Sequence, residues 1–346
     1  MEKFSQFRDR GSGIAPFLPV SSQPISGCLR LPSQLILFSF RLPLLIFACV
    51  SYFLVLQWLP LGSLGKKAAL WCILGIPSIW WVDLQVDGVR KGSLSKQQAR
   101  LPGPGSVIAS SFTSPIDAVY LAAIFDPVFT ASYPTSRKVE HISLLSAVLR
   151  AFSAPQVRPL PGAQMTDLAT LARKYPNRPI VTFAECTTTN GRGILPLSPS
   201  LVDTASEAKI FPVSLRYTPD DVVTPLPDSY LSFLWALLSR PTHLIRVRIA
   251  AAVVNGGRQP GISERMKHST YDTNYFDVLE EVSGSSSKGG EASSEKVEVD
   301  LSPAEKTLLD TVGDSLARLG RVKRVGLKVS DKQGFVKTYR KTEMIW

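Results

Sequence analysis

Apolar residues are concentrated in two charge-free blocks in the first quarter of the chain, residues 42–56 and 68–82. Each block is about fifteen residues long, whereas a helix needs roughly 20 apolar residues to cross the ~30 Å hydrocarbon core of a bilayer. A proline and two glycines lie between the blocks and favour a turn. The pattern therefore predicts a membrane-embedded helical hairpin over residues 35–82, with both flanks on one side. Two buried core helices of a soluble domain are the alternative.

Residues 83–253 alternate between short apolar runs of strand type and segments with apolar residues at helical spacing. The run RPIVTFAE at 178–185 is of the first kind, and KVEHISLLSAVLRAF at 138–152 is of the second kind. This alternation predicts an α/β domain with a mostly parallel sheet that is covered by helices. Loops beyond the carboxyl ends of such strands are the usual place for chemistry.

The remaining segments differ in composition. Residues 1–34 are rich in Ser, Pro, Gly and Arg without periodicity, which predicts a disordered N-terminal segment. Residues 254–300 have the Gly, Ser, Lys and Glu content of a linker. Ser302-Pro303-Ala304-Glu305 is a capping box, so residues 301–346 are expected to form a helix and a basic tail. That tail is either a solvated surface or a contact with anionic lipid.

Charge and the placement of aromatic residues narrow the class of partner. The formal net charge of +11 favours an anionic partner. Nucleic-acid-binding modules interleave aromatic residues with basic ones, whereas here the aromatic residues accumulate in the charge-free blocks. We therefore expect membrane lipids and no nucleic acid as partners. Arg41, Lys66 and Lys67 beside the blocks are expected to reach lipid phosphates.

The spacing of cysteines and histidines does not indicate a metal site or a disulfide. The four cysteines have no CxxC or paired spacing, which predicts free thiols in a reducing compartment. The three histidines have no metal-ligand spacing. These residues are Cys28, Cys49, Cys72, Cys186, His141, His243 and His268.

The stretch SSFTSPID, residues 110–117, follows a predicted strand. It resembles the first block, NHxSxxD, of the phospholipid/glycerol acyltransferase family, and Ser114 and Asp117 fit that block. In the family the histidine removes the proton of the acceptor hydroxyl and the aspartate holds the imidazole. Phe112 stands at the position of the histidine and has no proton to exchange. The resemblance thus implies a degenerate HxxxxD motif in which Asp117 alone remains of the catalytic pair.

Residues 183–193, FAECTTTNGRG, resemble the family's third block in the branch that reads FPEGTTTNGR. The resemblance implies a cradle for glycerol phosphate, in which Arg192 pairs with the phosphate and Glu185 with a hydroxyl. The other substrate-binding residues that it implies are Thr187, Thr188 and Asn190. Cys186 replaces a family glycine, which matters if that position requires a positive φ. A polar turn whose charges only face solvent is the alternative.

Two further stretches match less specifically. Pro212 lies in IFPV, which resembles the family's fourth block, an apolar strand that lines the acyl or acceptor site. Arg158 ends QVR, where the family's second block ends in an arginine with a role in phosphate binding. An ordinary core strand and an exposed charge at a strand end are the respective alternatives. All four matches fall in the family's order between residues 86 and 213.

The resemblance implies an α/β glycerolipid acyltransferase fold with an N-terminal membrane hairpin. It also implies acyl-CoA-dependent acylation of a lysophospholipid, most simply 1-acylglycerol-3-phosphate to phosphatidic acid, in phospholipid and triacylglycerol synthesis. The expected partners are membrane lipids, the lysophospholipid acceptor and acyl-CoA as co-substrate, with no metal and no tightly bound cofactor. The expected location is the endoplasmic reticulum membrane or the lipid-droplet surface, with a cytosolic catalytic domain. The sequence does not indicate an oligomeric state.

Phe112 leaves alternatives open. The chain could be a catalytically dead acyltransferase scaffold that acts as a lipid-binding or regulatory membrane protein. His141 as a substitute base and Cys186 as a thioester carrier are two further options for chemistry.

Overall fold

The structure, a computed structural model, describes residues 2–20, 30–59, 62–90, 93, 97–205, 207–255 and 301–343. The predicted linker lies outside the described residues apart from its first two positions, as do Cys28 and His268.

A nine-stranded mixed sheet forms the centre of the described chain, in the order β1-β9-β8-β2-β6-β3-β4-β5, with β10 paired to β8. The strands are β1 (Trp81–Val86), β2 (Val107–Ser110), β3 (Val128–Ala131), β4 (Val139–Ile142), β5 (Met165–Thr166), β6 (Ile180–Phe183), β7 (Gly193–Ile194), β8 (Lys209–Thr218), β9 (Leu244–Ile249), β10 (Val253–Val254) and β11 (Lys323–Arg324). Strands β8, β2, β6 and β3 are mutually parallel, and β7 pairs with β11 in a separate small sheet. The predicted α/β fold with a mostly parallel sheet is confirmed.

Helices cover both faces of the sheet, because each central strand is apolar on both sides. The helices are α1 (Arg30–Val50), α2 (Ser63–Gly75), α3 (Pro115–Phe125), α4 (Leu144–Arg150), α5 (Leu168–Lys174), α6 (Tyr230–Leu238), α7 (Pro303–Gly320) and α8 (Val329–Glu343). Helices α1, α2, α3, α4 and α6 contribute to the apolar core on one face, and α5 and α7 contribute to the core on the other. Within β8, Phe211 and Val213 face the first core and Ile210 faces the second.

The two apolar blocks, predicted to form equivalent arms of a hairpin, differ from each other in the structure. The first belongs to a helix that continues through a π-helical segment (Ser51–Leu56), so that Leu31–Leu56 forms a largely exposed, mostly apolar helix of 26 residues that could cross a membrane. The second block supplies only part of the 13-residue α2, which buries Leu70, Ile73 and Leu74 in the first core. Its last residues already belong to β1.

Arg41 and Lys67 bind protein carbonyls, whereas the sequence pattern indicated contacts with lipid phosphates. The Arg41 guanidinium donates to the carbonyl oxygens of Leu238 and Pro241, at 3.3 and 3.2 Å, and to Ser78 Oγ at 2.7 Å. These carbonyls lie at the last residue of α6 and just beyond it, where helical partners are lacking. Lys67 Nζ donates to a backbone carbonyl at the end of α3, at 2.8 Å. Both cations therefore join the first apolar helices to the α/β domain.

Residues 2–20 differ from the expected disordered segment. The rings of Phe4, Phe7 and Phe17 pack against Phe335 in α8, and Phe17 is only 1% exposed. These aromatic residues are widely separated in sequence from α8, so local composition could not reveal the cluster. The predicted capping box at the start of α7 is present, with Ser302 and Glu305 exchanging hydrogen bonds with each other's backbone.

Candidate active site

The first sequence block forms the turn between β2 and α3. Ser114 is the N-cap of α3, and its Oγ accepts from the Ile116 amide at 3.3 Å and donates to the Val222 carbonyl at 2.8 Å. Asp117 completes a capping box, because its Oδ2 accepts from the amides of Ser114 and Thr113 at 2.9 and 2.7 Å. The spacing of serine and aspartate is therefore also a helix-start signal.

The second carboxylate oxygen of Asp117 accepts a hydrogen bond from the Tyr217 hydroxyl. Burial raises the pKa of Asp117 to about 6, against the opposing effect of the hydrogen bonds from Tyr217 and the backbone amides. Sequence reasoning missed Tyr217, which lies 100 residues further along the chain in β8. The motif carries no sign of this partner, because only the sheet pairing brings β8 beside β2.

Phe112, which the motif resemblance places at the position of the family's histidine, is buried in an aromatic stack. Its ring lies on that of Phe183, with centroids 4.3 Å apart, and is 2% exposed. The two rings, with Cys186 and Arg150, line a cavity of only about 10 Å³. The Arg150 guanidinium lies over the ring of Tyr133, 4.8 Å from its centroid. The centre of the site is thus apolar and closely packed, with one cation at its edge.

The first and third blocks are joined by backbone hydrogen bonds, because β2 and β6 are adjacent parallel strands. The buried Glu185 accepts from the amides of Phe112 and Leu195, at 3.4 and 3.2 Å. The Thr189 amide donates to the Phe112 carbonyl at 3.0 Å. Burial raises the pKa of Glu185 to about 8, with smaller opposing effects from the two amides. Glu185 therefore holds the two blocks together, and both of its oxygens are used within the protein.

Cys186 adopts the left-handed conformation with φ of 60°. The loop therefore does require a positive φ at this position, where the family has glycine. A left-handed conformation costs a non-glycine residue roughly 1–2 kcal/mol. Burial raises the pKa of the Cys186 thiol to about 12, which opposes formation of the thiolate that a thioester carrier needs.

Lys332 of α8 enters the third-block loop and was missed by sequence reasoning. Its Nζ donates to Thr187 Oγ1 at 2.9 Å, to the Thr188 carbonyl at 2.6 Å and to Thr188 Oγ1 at 3.0 Å. The side chain is 1% exposed, and burial lowers its pKa to about 7, against the opposing effect of Glu185. In the sequence Lys332 is one of several cations in a basic segment, so composition favours a solvated position.

The rest of the loop contacts the N-terminal segment. Asn190 Nδ2 donates to the carbonyls of Ala15 and Leu18 at 2.8 and 3.0 Å. The Asn190 side-chain oxygen accepts from the Arg192 amide at 3.1 Å. The Arg192 side chain is exposed, and the adjacent Gly193 pairs with Lys323 of β11. Of the implied phosphate cradle, Arg192 is therefore the group that faces solvent.

Arg158 and Pro212 lie apart from this loop in different ways. Arg158 is exposed in the segment after α4, where the preceding Val157 carbonyl accepts from Thr135 Oγ1 at 3.0 Å. Pro212 is buried in β8 and pairs with Ala109 of β2, so the fourth block is a core strand beside the first block. The substrate contacts of both residues stay predictions.

The described histidines lie outside the site. The ring of His141 in β4 stacks on Tyr175, and His243 Nε2 shares a 2.8 Å hydrogen bond with the Leu237 carbonyl. Neither ring has a recorded contact with Phe112 or Asp117. Within the described ranges, no group of three or more His, Cys, Asp or Glu side chains could hold a metal ion.

Comparisons with known proteins agree with the motifs. The chain is 28% identical over 258 residues to a Schizosaccharomyces pombe protein named "Putative lysophosphatidic acid:oleoyl-CoA acyltransferase", covering 72% of this chain and 84% of that protein. It is also 28% identical over 199 residues to Saccharomyces cerevisiae lysophosphatidic acid:oleoyl-CoA acyltransferase 1, covering 57% of this chain and 61% of the relative.

The chain is similar to fungal acyltransferases. The resemblance to glycerolipid acyltransferases that the motifs indicated is thereby confirmed. No family model matches the chain, and no solved structure matches it. The relatives' names support an acyltransferase in lipid metabolism.

Proposed function

We propose that the chain is an acyl-CoA-dependent O-acyltransferase that converts 1-acylglycerol-3-phosphate to phosphatidic acid. The observation that carries the proposal is the junction of the first and third blocks, in which Glu185 binds the Phe112 amide at the ends of two adjacent parallel strands. Loops at this edge of an α/β sheet are the usual place for a substrate site. Both relatives are named for oleoyl-CoA and lysophosphatidic acid, which supports this pair of substrates.

In this reaction the acceptor hydroxyl oxygen attacks the thioester carbonyl carbon. A carbon–oxygen bond forms, the carbon–sulfur bond breaks, and the hydroxyl proton goes finally to the CoA thiolate. Asp117, with a pKa of about 6, is ionised at neutral pH and is the proposed proton acceptor, directly or through water. General-base assistance contributes roughly 10²- to 10⁴-fold to a rate. Without the histidine, correct positioning of two bound substrates is expected to give slow turnover.

The acceptor and the product are membrane lipids, so the proposal includes attachment to the endoplasmic reticulum or to lipid droplets. Helix α1 supports such attachment, because Leu31–Leu56 is apolar and only 11% of its most apolar window is buried. The catalytic domain is proposed to lie in the cytosol, where acyl-CoA is available.

The test uses full-length protein in detergent or liposomes with labelled oleoyl-CoA and a panel of lysophospholipids. Formation of labelled phosphatidic acid from lysophosphatidic acid is the expected result. Binding of lysophosphatidic acid with no product from any acceptor would contradict the enzyme and support the alternative below.

The second candidate function is lipid binding or regulation by a catalytically dead scaffold. It is favoured by the stack of Phe112 on Phe183, which leaves a cavity of about 10 Å³ beside the position of the missing histidine. A dead scaffold would bind lysophosphatidic acid and leave oleoyl-CoA intact over the whole course of the assay.

A further inference from the structure

A groove of about 580 Å³ lies beside the C-terminal end of α7, away from the motif residues. Its cationic lining comes from Arg90, Arg248, Arg318 and Arg321, one carboxylate, Asp87, also lines it, and the remaining walls come largely from residues 84–89. Pockets that hold small molecules and cofactors have volumes of roughly 300–1,000 Å³. The groove is therefore large enough for a ligand of nucleotide size.

Sheet pairing extends the basic lining along one face. Arg216 of β8 pairs with Arg246 of β9, so their side chains share a face with that of Arg248, two residues further along β9. The guanidinium groups of Arg216 and Arg248 donate to the carbonyls of Gly320 and Leu319, at 2.6 and 3.1 Å. These carbonyls end α7 and lack helical partners. The end of α7 thus holds two guanidinium groups in place at this end of the sheet.

Positive charge predominates at this end of the sheet. Burial lowers the pKa of Arg248, and the neighbouring Arg321, Arg246 and Arg216 lower it further, while Asp83 acts in the opposite direction. Asp87 forms an ion pair with Arg318. A set of like charges at close range destabilises the folded protein unless an anion binds among them. The arrangement therefore indicates an anion site with several cationic contacts.

The position of the groove distinguishes a soluble anion from a membrane surface. Val86 of β1 belongs to the apolar core on the face that carries α1 and α2. Strand residues alternate between faces, so Asp83 and Gln85 point to the opposite face, which carries α7. Leu84 and Val86 line the groove from the side of the first core, whereas Arg248 points to the face that carries α7. The cationic side of the groove thus lies across the sheet from the helix that could enter a membrane. This placement favours a soluble ligand that carries several phosphates.

We propose that this groove binds the phosphorylated nucleotide end of acyl-CoA; the proposal rests on the function proposed above. Arg248, which lines the groove, pairs with Ser214 of β8, one residue beyond Val213, and Val213 pairs with Ser110 at the end of β2. Along the strands, Arg248 is therefore roughly 3 Å beyond that end. Across the sheet, strand β9 is two strands from β2, which is roughly 10 Å. The extended pantetheine arm of CoA is long enough to cover these distances.

The test measures equilibrium binding of CoA, which is not an acyl donor, to the full-length protein by titration calorimetry. The double variant Arg246→Gln/Arg248→Gln should weaken CoA binding by about tenfold or more, since charge-assisted contacts with phosphate are lost. Adenosine 3′,5′-bisphosphate should compete with CoA in the wild type. The control Lys337→Gln/Lys341→Gln removes the same charge from the exposed side of α8 and should bind CoA as the wild type does.

Two further measurements keep the outcome clear. The single variant Arg246→Gln alters an exposed side chain and should show part of the loss even if the double variant does not fold. Equal CoA affinity in the wild type and the folded arginine variants overturns the proposal. The proposal is also overturned if the arginine variants bind CoA as the wild type does but no longer bind vesicles of phosphatidylcholine and phosphatidic acid. That result would make this face a membrane-binding surface. If the arginine variants turn over substrate with an unchanged KM for oleoyl-CoA, the groove is not the CoA site, but the proposed function stands. If the wild type binds CoA through these arginines but no protein turns over substrate, the proposed function is wrong, but the groove remains a CoA site.

Discussion

The closed centre at Phe112 and the open groove beside α7 are built in opposite ways. Around Phe112 two stacked rings fill the space, and the buried carboxylates of Asp117 and Glu185 are hydrogen-bonded within the protein. In the groove, arginines are grouped around a volume of about 580 Å³. If the proposed assignments hold, CoA binding and proton transfer depend on separate parts of this fold, and we expect that each can be changed without the other.

Phe112→His is expected to have the largest effect, because it restores the spacing of the family's pair with Asp117. The imidazole can accept the hydroxyl proton, so turnover of lysophosphatidic acid should rise by up to ~10²-fold. The pH–rate profile should gain a limb near the imidazole pKa of ~6.5. Because Tyr217 occupies an oxygen of Asp117, adding Tyr217→Phe should free the carboxylate for the new histidine and increase the gain.

Phe112→Leu is the matched control, since it opens space without supplying a base. A similar gain for leucine and histidine would show that the ring of Phe112 obstructs the site and that proton transfer is not limiting. A wild-type rate that Phe112→His leaves unchanged or lowers would assign the base to another residue. Asp117→Asn in the histidine variant should abolish the gain.

Lys332→Met tests whether the third-block loop depends on α8. Loss of three hydrogen bonds to Thr187 and Thr188 should lower the free energy of unfolding by about 2 kcal/mol, measured by urea denaturation. The pKa of Lys332 falls from 10.5 to about 7 on folding. At any pH between these two values, Lys332 is therefore protonated in the unfolded chain and neutral in the native protein. This difference makes stability rise with pH. The raised pKa of Glu185 has the opposite effect up to a pH of about 8, so wild-type stability should rise as the pH increases from about 8 to about 10.5. The rise should be smaller in the variant.

Lys337→Met on the exposed side of α8 is the comparison, and it should change neither stability nor its pH dependence. Equal pH profiles for the wild type and Lys332→Met would contradict the lowered pKa of Lys332.

Arg192→Ala should separate the two substrates. Arg192 is exposed in the third-block loop, and removing its contact with the acceptor phosphate should raise KM for lysophosphatidic acid by about tenfold. KM for oleoyl-CoA should stay unchanged, in contrast to the variants in the groove. Arg173→Ala, on the exposed side of α5, provides a control outside the loop. Equal losses for both substrates would assign Arg192 to the conformation of the loop.

We expect both flanks of the apolar region that contains α1 to lie on the same side of the membrane. Asn190 binds the carbonyls of Ala15 and Leu18, so the chain before α1 contacts the domain that follows it. Glycosylation or protease-accessibility tags before Arg30 and after Asp83 should therefore both report the cytosolic side. Labelling on opposite sides would require α1 to cross the membrane and residues 2–20 to leave the domain.

Features encoded by neighbouring residues could be predicted from the sequence. The alternation of strands and helices follows from local periodicity, and the capping box before α7 follows from four consecutive residues. The β2–α3 turn could be located because Ser114 and Asp117 lie within one helical turn. These features predicted the central fold and the place of the candidate site.

Features that depend on distant parts of the chain could not be predicted. Tyr217 reaches Asp117 only because β8 lies beside β2. Lys332 enters the loop only because α8, near the end of the chain, packs against aromatic residues of the N-terminal segment. The contacts of Arg41 could not be foreseen either, because its partners, the carbonyls at the end of α6, lie almost 200 residues away in sequence. The neighbouring apolar residues therefore predicted contacts with lipid instead. Spacing and composition carry no information about such pairs.

The hydrogen bonds of the third-block loop have a consequence for the order of folding. Asn190 binds a carbonyl 175 residues away in sequence, and Thr187 binds an amine 145 residues away. Closing long loops has an entropic cost, so contacts of high sequence separation form slowly. The central parallel strands can associate before either end of the chain arrives. We therefore expect the amides of residues 187–190 to gain hydrogen-exchange protection after those of β2 and β6 during refolding, so that the site is completed late.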